Sequence, residues 1–169
     1  YRGSAALARD IIHLEWEGIR EFDHLLSGME RELEAIALEE YTKFGMLAEE
    51  GTKALAPLDS GDLEAGINFS RAKKSGSAIV VEGGVNSEYG LRRHEAPYKN
   101  GSRPKYDNGA KFPGYYANGR GARTRSKPGW RGMKAGRKYM TRTIEAIKSD
   151  FERMNERILR RTLERRGGR

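Results

Sequence analysis

The sequence predicts an α+β fold: a long amphipathic helix packed on a small antiparallel sheet, a long basic loop or arm, and a C-terminal helix. Three observations predict it. Apolar residues recur at helical spacing from Met29 to Leu55 and stop before Pro57. The run Ala78-Ile-Val-Val-Glu-Gly-Gly-Val85 is rich in β-branched residues, which favour strands. A second helical seam runs from Met140 to Ile158.

Taken in order, Ile12-His-Leu14-Glu-Trp16 alternates apolar with polar residues, the period of a half-buried strand. Gly18 breaks the alternation, and Ile19, Phe22, Leu25 and Leu26 return at helical spacing. One long helix is expected over about Ser27 to Leu55. Met29, Leu33, Ile36, Ala37, Phe44, Leu47, Ala48 and Leu55 form its apolar stripe, and glutamates crowd the other face. Ser27 is placed to cap it, with Glu30 three residues on as in a capping box. A turn follows at Ala56-Pro-Leu-Asp-Ser-Gly-Asp-Leu63, with one helical turn through Ala65. Asp59 and Ser60 can cap the free amides there, and Gly61 can take backbone angles closed to other residues. Ile67 to Ser70 reads as a short strand, Ala72 to Ser77 as a hairpin turn, and Ala78–Val85 as the principal strand. Periodicity leaves Tyr89 to Glu95 open between strand and short helix. Met140, Ile144, Ile147, Phe151, Met154 and Ile158 follow a heptad-like spacing and predict a helix over about Arg137 to Arg165.

The 169 residues suit one domain, with 96–136 as a long Gly/Pro-rich basic loop or arm and 160–169 as a basic tail. The arm carries one acid, Asp107, among many lysines and arginines. Its aromatics, Tyr98, Tyr106, Phe112, Tyr115, Tyr116 and Trp130, argue against pure disorder. The expectation is an arm that becomes ordered on a partner. With 37% hydrophobic and 33% charged residues, the core should be modest. The absence of cysteine excludes disulfides, thiolate zinc sites and a cysteine nucleophile. No apolar run approaches the roughly 20 residues of a membrane span. A soluble protein, intracellular or particle-associated, is expected, with no cofactor and no metal.

Charge is unevenly distributed. Residues 1–66 hold 6 Lys/Arg against 15 Asp/Glu, and the remainder holds 26 against 9. An acidic half joined to a basic half suits either one-sided contact with a polyanion or head-to-tail stacking of identical copies. Arg120, Arg123, Arg125, Lys127, Trp130 and Arg131 are the candidate interaction residues, for a partner subunit or for DNA. Basic side chains neutralise phosphates and aromatics stack on bases, yet the same residues can meet an acidic protein face. Catalytic candidates are few. His13 and His24 lack the helical i, i+4 pairing of a metal site, and His94-Glu95 beside Arg92-Arg93 reads better as a polar strand end or subunit contact than as an acid/base pair. Ser60 lies in Asp-Ser-Gly rather than in a nucleophile elbow. The glycines from Gly114 to Gly136 match no phosphate-binding loop. An enzyme is not expected.

The string Ala56-Pro57-Leu58-Asp59-Ser60-Gly61-Asp62-Leu63-Glu64-Ala65-Gly66-Ile67, following a long helix, resembles the Ala-Pro-(Val)-Asp-(Thr/Ser)-Gly-x-Leu-x-x-(Ser)-Ile signature of small neck proteins from long-tailed bacteriophages. These are also called head–tail connector, tail-completion or minor capsid proteins. Tyr89-Gly90-Leu91-Arg92-Arg93-His94-Glu95 and Lys138-Tyr139-Met140 through Ile147 resemble later segments of that family in the same order. Gly66 stands where the family usually has serine, and the basic segment between Glu95 and Lys138 is longer than usual.

The resemblance implies a structural virion protein forming a ring in the neck, joining the DNA-filled head to the tail and lining the DNA passage. The implied partners are copies of itself in a ring (six or twelve), portal-side head connector proteins, and a tail terminator or tail tube protein. Non-specific contact with genomic DNA is also implied, and no membrane. The implied location is the virion neck, with the host cytoplasm during assembly. Pro57, Asp59, Ser60, Gly61 and Leu63 would fix the turn between helix and sheet. The alternative is a basic nucleic-acid-binding protein that uses the 96–136 arm and the C-terminal helix.

Overall fold

A computed structural model describes residues 12–18, 29–86, 90, 93–94 and 121–167, with backbone only for 12–18 and 166–167. The chain is α+β. A strand β1 (Ile12–Gly18) precedes the long helix α1 (Glu30–Leu55), the single-turn α2 (Asp62–Ala65), and strands β2 (Ile67–Phe69), β3 (Lys73–Ser75) and β4 (Ala78–Val85). After these come a short α3 (Ala122–Ser126) and two consecutive helices, α4 (Tyr139–Ala146) and α5 (Lys148–Gly167).

β4 is the middle of the sheet. β1 pairs with it antiparallel along its whole length, from Ile12↔Val85 to Gly18↔Ile79. On its other side β2 pairs with Val85 to Gly83 and β3 with Val80 to Ala78. β2 and β3 therefore act as one interrupted edge strand, so the sheet is three strands deep. The interruption is bridged at Ser70, whose N–H donates to the Glu82 carbonyl while its Oγ accepts the Glu82 N–H at 3.0 Å. Successive residues Ile79, Val80 and Val81 are all buried, so both faces of β4 are covered, as its β-branched run anticipates.

α1 packs on this sheet and also closes its β2–β3 edge. Glu49 accepts the Phe69 N–H at 2.9 Å, and Thr42 Oγ1 accepts the Ala72 N–H at 3.0 Å. Unpaired edge amides invite strand addition by other chains, and here two side chains of one helix satisfy them. The opposite side of α1 carries α4 and α5, which run antiparallel to it. Gly51 faces Thr143, Phe44 meets Phe151, and Glu40 meets Arg157. The core therefore lies on both sides of α1 and includes Ile36, Tyr41, Leu55, Ile67, Val81, Tyr139, Met140, Met154 and Ile158.

Several expectations need correction. The long helix starts at Glu30, with Met29 in the cap position and no side-chain cap, so Ser27 with Glu30 is not its capping box. Met29 is buried in the core and its carbonyl accepts the Leu33 N–H, so packing sets the helix start. The expected turn over 72–77 contains β3, and only Gly76 and Ser77 turn. Residues 90, 93 and 94 are helical, which decides the open segment where it is described.

The expected single C-terminal helix is two. Ile147 leaves the helical conformation (φ −103°, ψ 7°) while its side chain is buried. The Ala146 carbonyl at this break accepts a hydrogen bond from Arg131 at 3.0 Å. The expected tail is helical to Gly167, with Thr162 fully buried. The arm is described only from Gly121, and from there it lies folded against the ends of α1 and α4. Residues 96–120, including Arg120, lie outside the described residues, as do Ile19 to Leu26.

Candidate functional site

All five predicted turn residues and all five described basic-segment candidates fall in one region, where the end of α1, the turn 56–66 and the strap 121–136 interlock. α1 stops because Ala56 is extended (φ −64°, ψ 142°), the conformation that a following proline enforces, here Pro57. Gly61 has φ 99°, a left-handed value that an L side chain enters only at a cost. Ser60 Oγ accepts the Asp62 N–H at 3.3 Å and donates to the Asp62 carboxylate at 2.8 Å, which ties the first turn of α2. Leu63 and Ile67 are then carried into the core. Asp59 contributes its carbonyl, which accepts from the Arg123 guanidinium.

The strap reads the exposed backbone of this turn. Thr124 Oγ1 accepts the Leu58 N–H at 2.9 Å and donates back to the Leu58 carbonyl at 3.2 Å. Lys127 Nζ donates to the Lys53 carbonyl at 2.7 Å, to the Ala56 carbonyl at 2.8 Å, and to the Glu64 carboxylate. An ammonium at the carbonyl end of α1 satisfies groups that the helix leaves free and opposes the negative end of its dipole. Only 10% of the Lys127 side chain is exposed, so this candidate is an internal tie.

Trp130 and Arg131 complete the strap. Trp130 and Met133 exchange both backbone hydrogen bonds at 2.9 Å around Arg131-Gly132, where both residues have positive φ (46° and 77°). The Trp130 ring fills the space left by Gly51, where a Cβ would lie 2.7 Å from the ring carbons, and its Nε1 donates to Glu50 at 3.2 Å. Arg131 stacks over the Trp130 ring at 4.6 Å and forms a two-pronged pair with Asp150 at 2.6 and 3.2 Å. Arg131 hydrogen bonding holds the Asp150 carboxyl below its ordinary range, with a contribution from Arg153. Arg123 is exposed, and Arg125 is half-buried.

A second polar centre lies between α1 and α5 and corrects a reading of the sequence: Glu39-Glu40 is expected as a pair on the solvated face of the long helix, yet Glu40 is buried. Glu40 is 4% exposed and accepts from Arg157 at 2.8 Å and from Arg161 at 2.6 Å. Burial of Glu40 opposes its ionisation, but the hydrogen bonds and charge of the two arginines outweigh this and lower its pKa. Neighbouring Glu39, more exposed, is brought to about 2 by hydrogen bonds from Lys43 and Arg161. Burial pushes the Tyr41 phenol up, and its hydroxyl donates to Asn155 at 3.2 Å. A glutamate pair followed by an Arg-rich helix was a signal in the sequence, but the pairing spans more than 110 residues.

His94 is 4% exposed, stacks edge-on against Tyr139 at 5.0 Å, and its carbonyl accepts the Lys138 N–H. Its Nε2 lies 3.3 Å from Thr141 Oγ1. These contacts anchor the start of α4. Glu95, Arg92 and His24 lie outside the described residues, and His13 is described in backbone only. Among the described residues no group of three or more His, Cys, Asp or Glu could hold a metal ion, and no helix is long and apolar enough to cross a membrane.

In the described geometry, charged side chains thus interlock α1, the turn 56–66, the strap and α5. Comparison of the chain with protein-family models, with curated proteins and with solved structures finds no match.

Proposed function

We propose that this protein is a structural component of the neck of a long-tailed phage. In this reading it forms a ring that joins the DNA-filled head to the tail, contacts portal-side connector proteins on one side and tail proteins on the other, and catalyses no reaction. The observation that carries the reading is the Ala56–Ile67 turn. The residues that resemble the neck-protein signature each have a mechanical task there: Pro57 ends the long helix, Ser60 ties α2, Gly61 takes the left-handed angle, and Leu63 and Ile67 enter the core. The long helix on a small antiparallel sheet with a C-terminal helix agrees with the architecture that the resemblance implies.

The nucleic-acid-binding alternative draws less support. Lys127, Arg131, Arg157 and Arg161 are engaged by carboxylates and carbonyls of the chain itself, and a phosphate backbone would have to compete for them. Deleting the gene from a phage that encodes this protein tests the proposal. Lysates viewed by negative-stain electron microscopy should contain filled heads and finished tails that are not joined. Joined, infectious particles at normal yield would overturn it.

A further inference from the structure

Among the described residues two large apolar side chains are exposed: Met46 on α1, at 67%, and Leu163 on α5, at 50%. They do not meet within one copy. Arg161, two residues before Leu163, pairs with Glu39 and Glu40, and Met46 lies about 10 Å further along α1 at 1.5 Å per residue.

Met46 sits in an open hollow with Lys43, Leu47 and Glu50. A second hollow of about 210 Å³ shares Lys43 and Leu47 and runs between α1 and α5, where its lining turns mostly charged with Glu40, Asp150, Arg153 and Arg157, so the apolar part of the groove is the stretch around Met46 and Leu47. Around Leu163 the outer face of α5 offers Arg160 and Glu164, both exposed. The two patches match when the helices are laid antiparallel. In that arrangement Leu163 would enter the Met46–Leu47 hollow and Arg160 would face Glu50, while Lys43 stays with its own Glu39 at 2.8 Å.

We infer that the end of α5 of one copy docks into the Met46 hollow on α1 of the next, a heterologous contact between two different surfaces of the same chain. Such a contact leaves one knob and one hollow free at the ends of every pair, so it propagates until a ring closes or a filament grows. The inference rests on the ring reading above and names the contact that would build the ring.

The test uses the full chain at about 100 µM, where a contact with micromolar dissociation constant is filled, with mass read by light scattering. The wild type should form species larger than a dimer. Met46→Asp and Leu163→Asp, each with wild-type circular dichroism, should both be monomeric, with association weakened tenfold or more. Mixed one to one, they should form a dimer and nothing larger, because one variant keeps its knob and the other its hollow. Arg160→Glu or Glu50→Arg alone should weaken association, and the two changes in one chain should restore it. A monomeric wild type, a wild type that stops at a dimer, variants that associate like wild type, or a mixture that fails to pair would each overturn the inference. A chain that is monomeric yet still joins heads to tails would remove this contact and leave the neck reading intact. A chain that assembles through this contact but is dispensable for joining would do the reverse.

Discussion

Arg161 Nη1 lies 2.6 Å from Glu40 Oε1, and so joins the C-terminal helix to the inner side of the long helix. Arg157 reaches the other oxygen of the same carboxylate at 2.8 Å. The acidic first half of the chain and its basic second half therefore neutralise one another, in part, within a single copy. Glu40→Ala should remove the shared acceptor and leave two arginines facing a buried void. The expected loss is about 1–3 kcal/mol, below the roughly 3–5 kcal/mol of a fully buried pair because Arg157 is nearly half exposed. Urea unfolding followed by circular dichroism measures it; a change within a few tenths of a kcal/mol would show that solvent replaces the pair.

Acid should destabilise the fold through the same groups. The pKa values of Glu39, Glu40 and Asp150 are lowered in the folded state, Glu39 to about 2. As pH falls below the ordinary carboxylate range, the unfolded chain binds these protons first. The stability contributed by the three carboxylates is thus complete above about pH 4.5 and is lost as pH drops toward 2. Melting temperatures should fall steeply across that window, and Glu40→Gln should flatten the slope. A melting temperature that stays level from pH 5 to pH 2.5 would contradict these couplings.

Gly51 stands mid-helix, where alanine is normally favoured by about 1 kcal/mol. A Cβ there would lie 2.7 Å from both the Trp130 ring and the Thr143 methyl. Gly51→Ala should therefore destabilise by about 1–3 kcal/mol through overpacking, against its helix propensity. Gly66→Ala is the control. Its Cβ would meet only ordinary contacts, its nearest at 3.4 Å, and its φ of −82° suits alanine, so neutral or slightly improved stability is expected. Equal effects at the two positions in thermal melts would show that Trp130 yields.

Lys127→Ala should leave the Lys53 and Ala56 carbonyls and the Glu64 carboxylate without their shared donor. A loss of about 1–3 kcal/mol is expected, with the strap around residues 121–136 becoming more open to hydrogen exchange. A double-mutant cycle with Glu64→Ala should give a positive coupling energy. No coupling would assign the whole effect to the carbonyl contacts.

Much of this fold was legible in the sequence because its signals are local. The apolar stripe of α1, the stop at Pro57, the left-handed Gly61, the β-branched β4 and the Met140–Ile158 seam all follow from spacing within a few residues. The errors share one cause. Ser27 has good cap chemistry, yet the burial of Met29 places the helix start two residues later. Periodicity runs smoothly through Ile147, yet the helix breaks there, where Arg131 reaches the Ala146 carbonyl from the strap. Composition suggests an arm up to Gly136, yet Thr124, Lys127 and Trp130 find their partners on α1 and its turn.

The candidate site divides along the same line. By itself the sequence determined the α+β class, the faces of the helices and the chemistry of the 56–67 turn, because hydrophobic period and turn propensity act over one or two turns of chain. Only the tertiary structure decided which charges are free. Lys127 and Arg131 look like surface cations in the sequence, while Glu39 and Glu40 look like a solvated pair. Packing α5 and the strap against α1 brings together groups separated by 19 to 122 residues, and a charge's partner depends on that packing rather than on its neighbours in the chain.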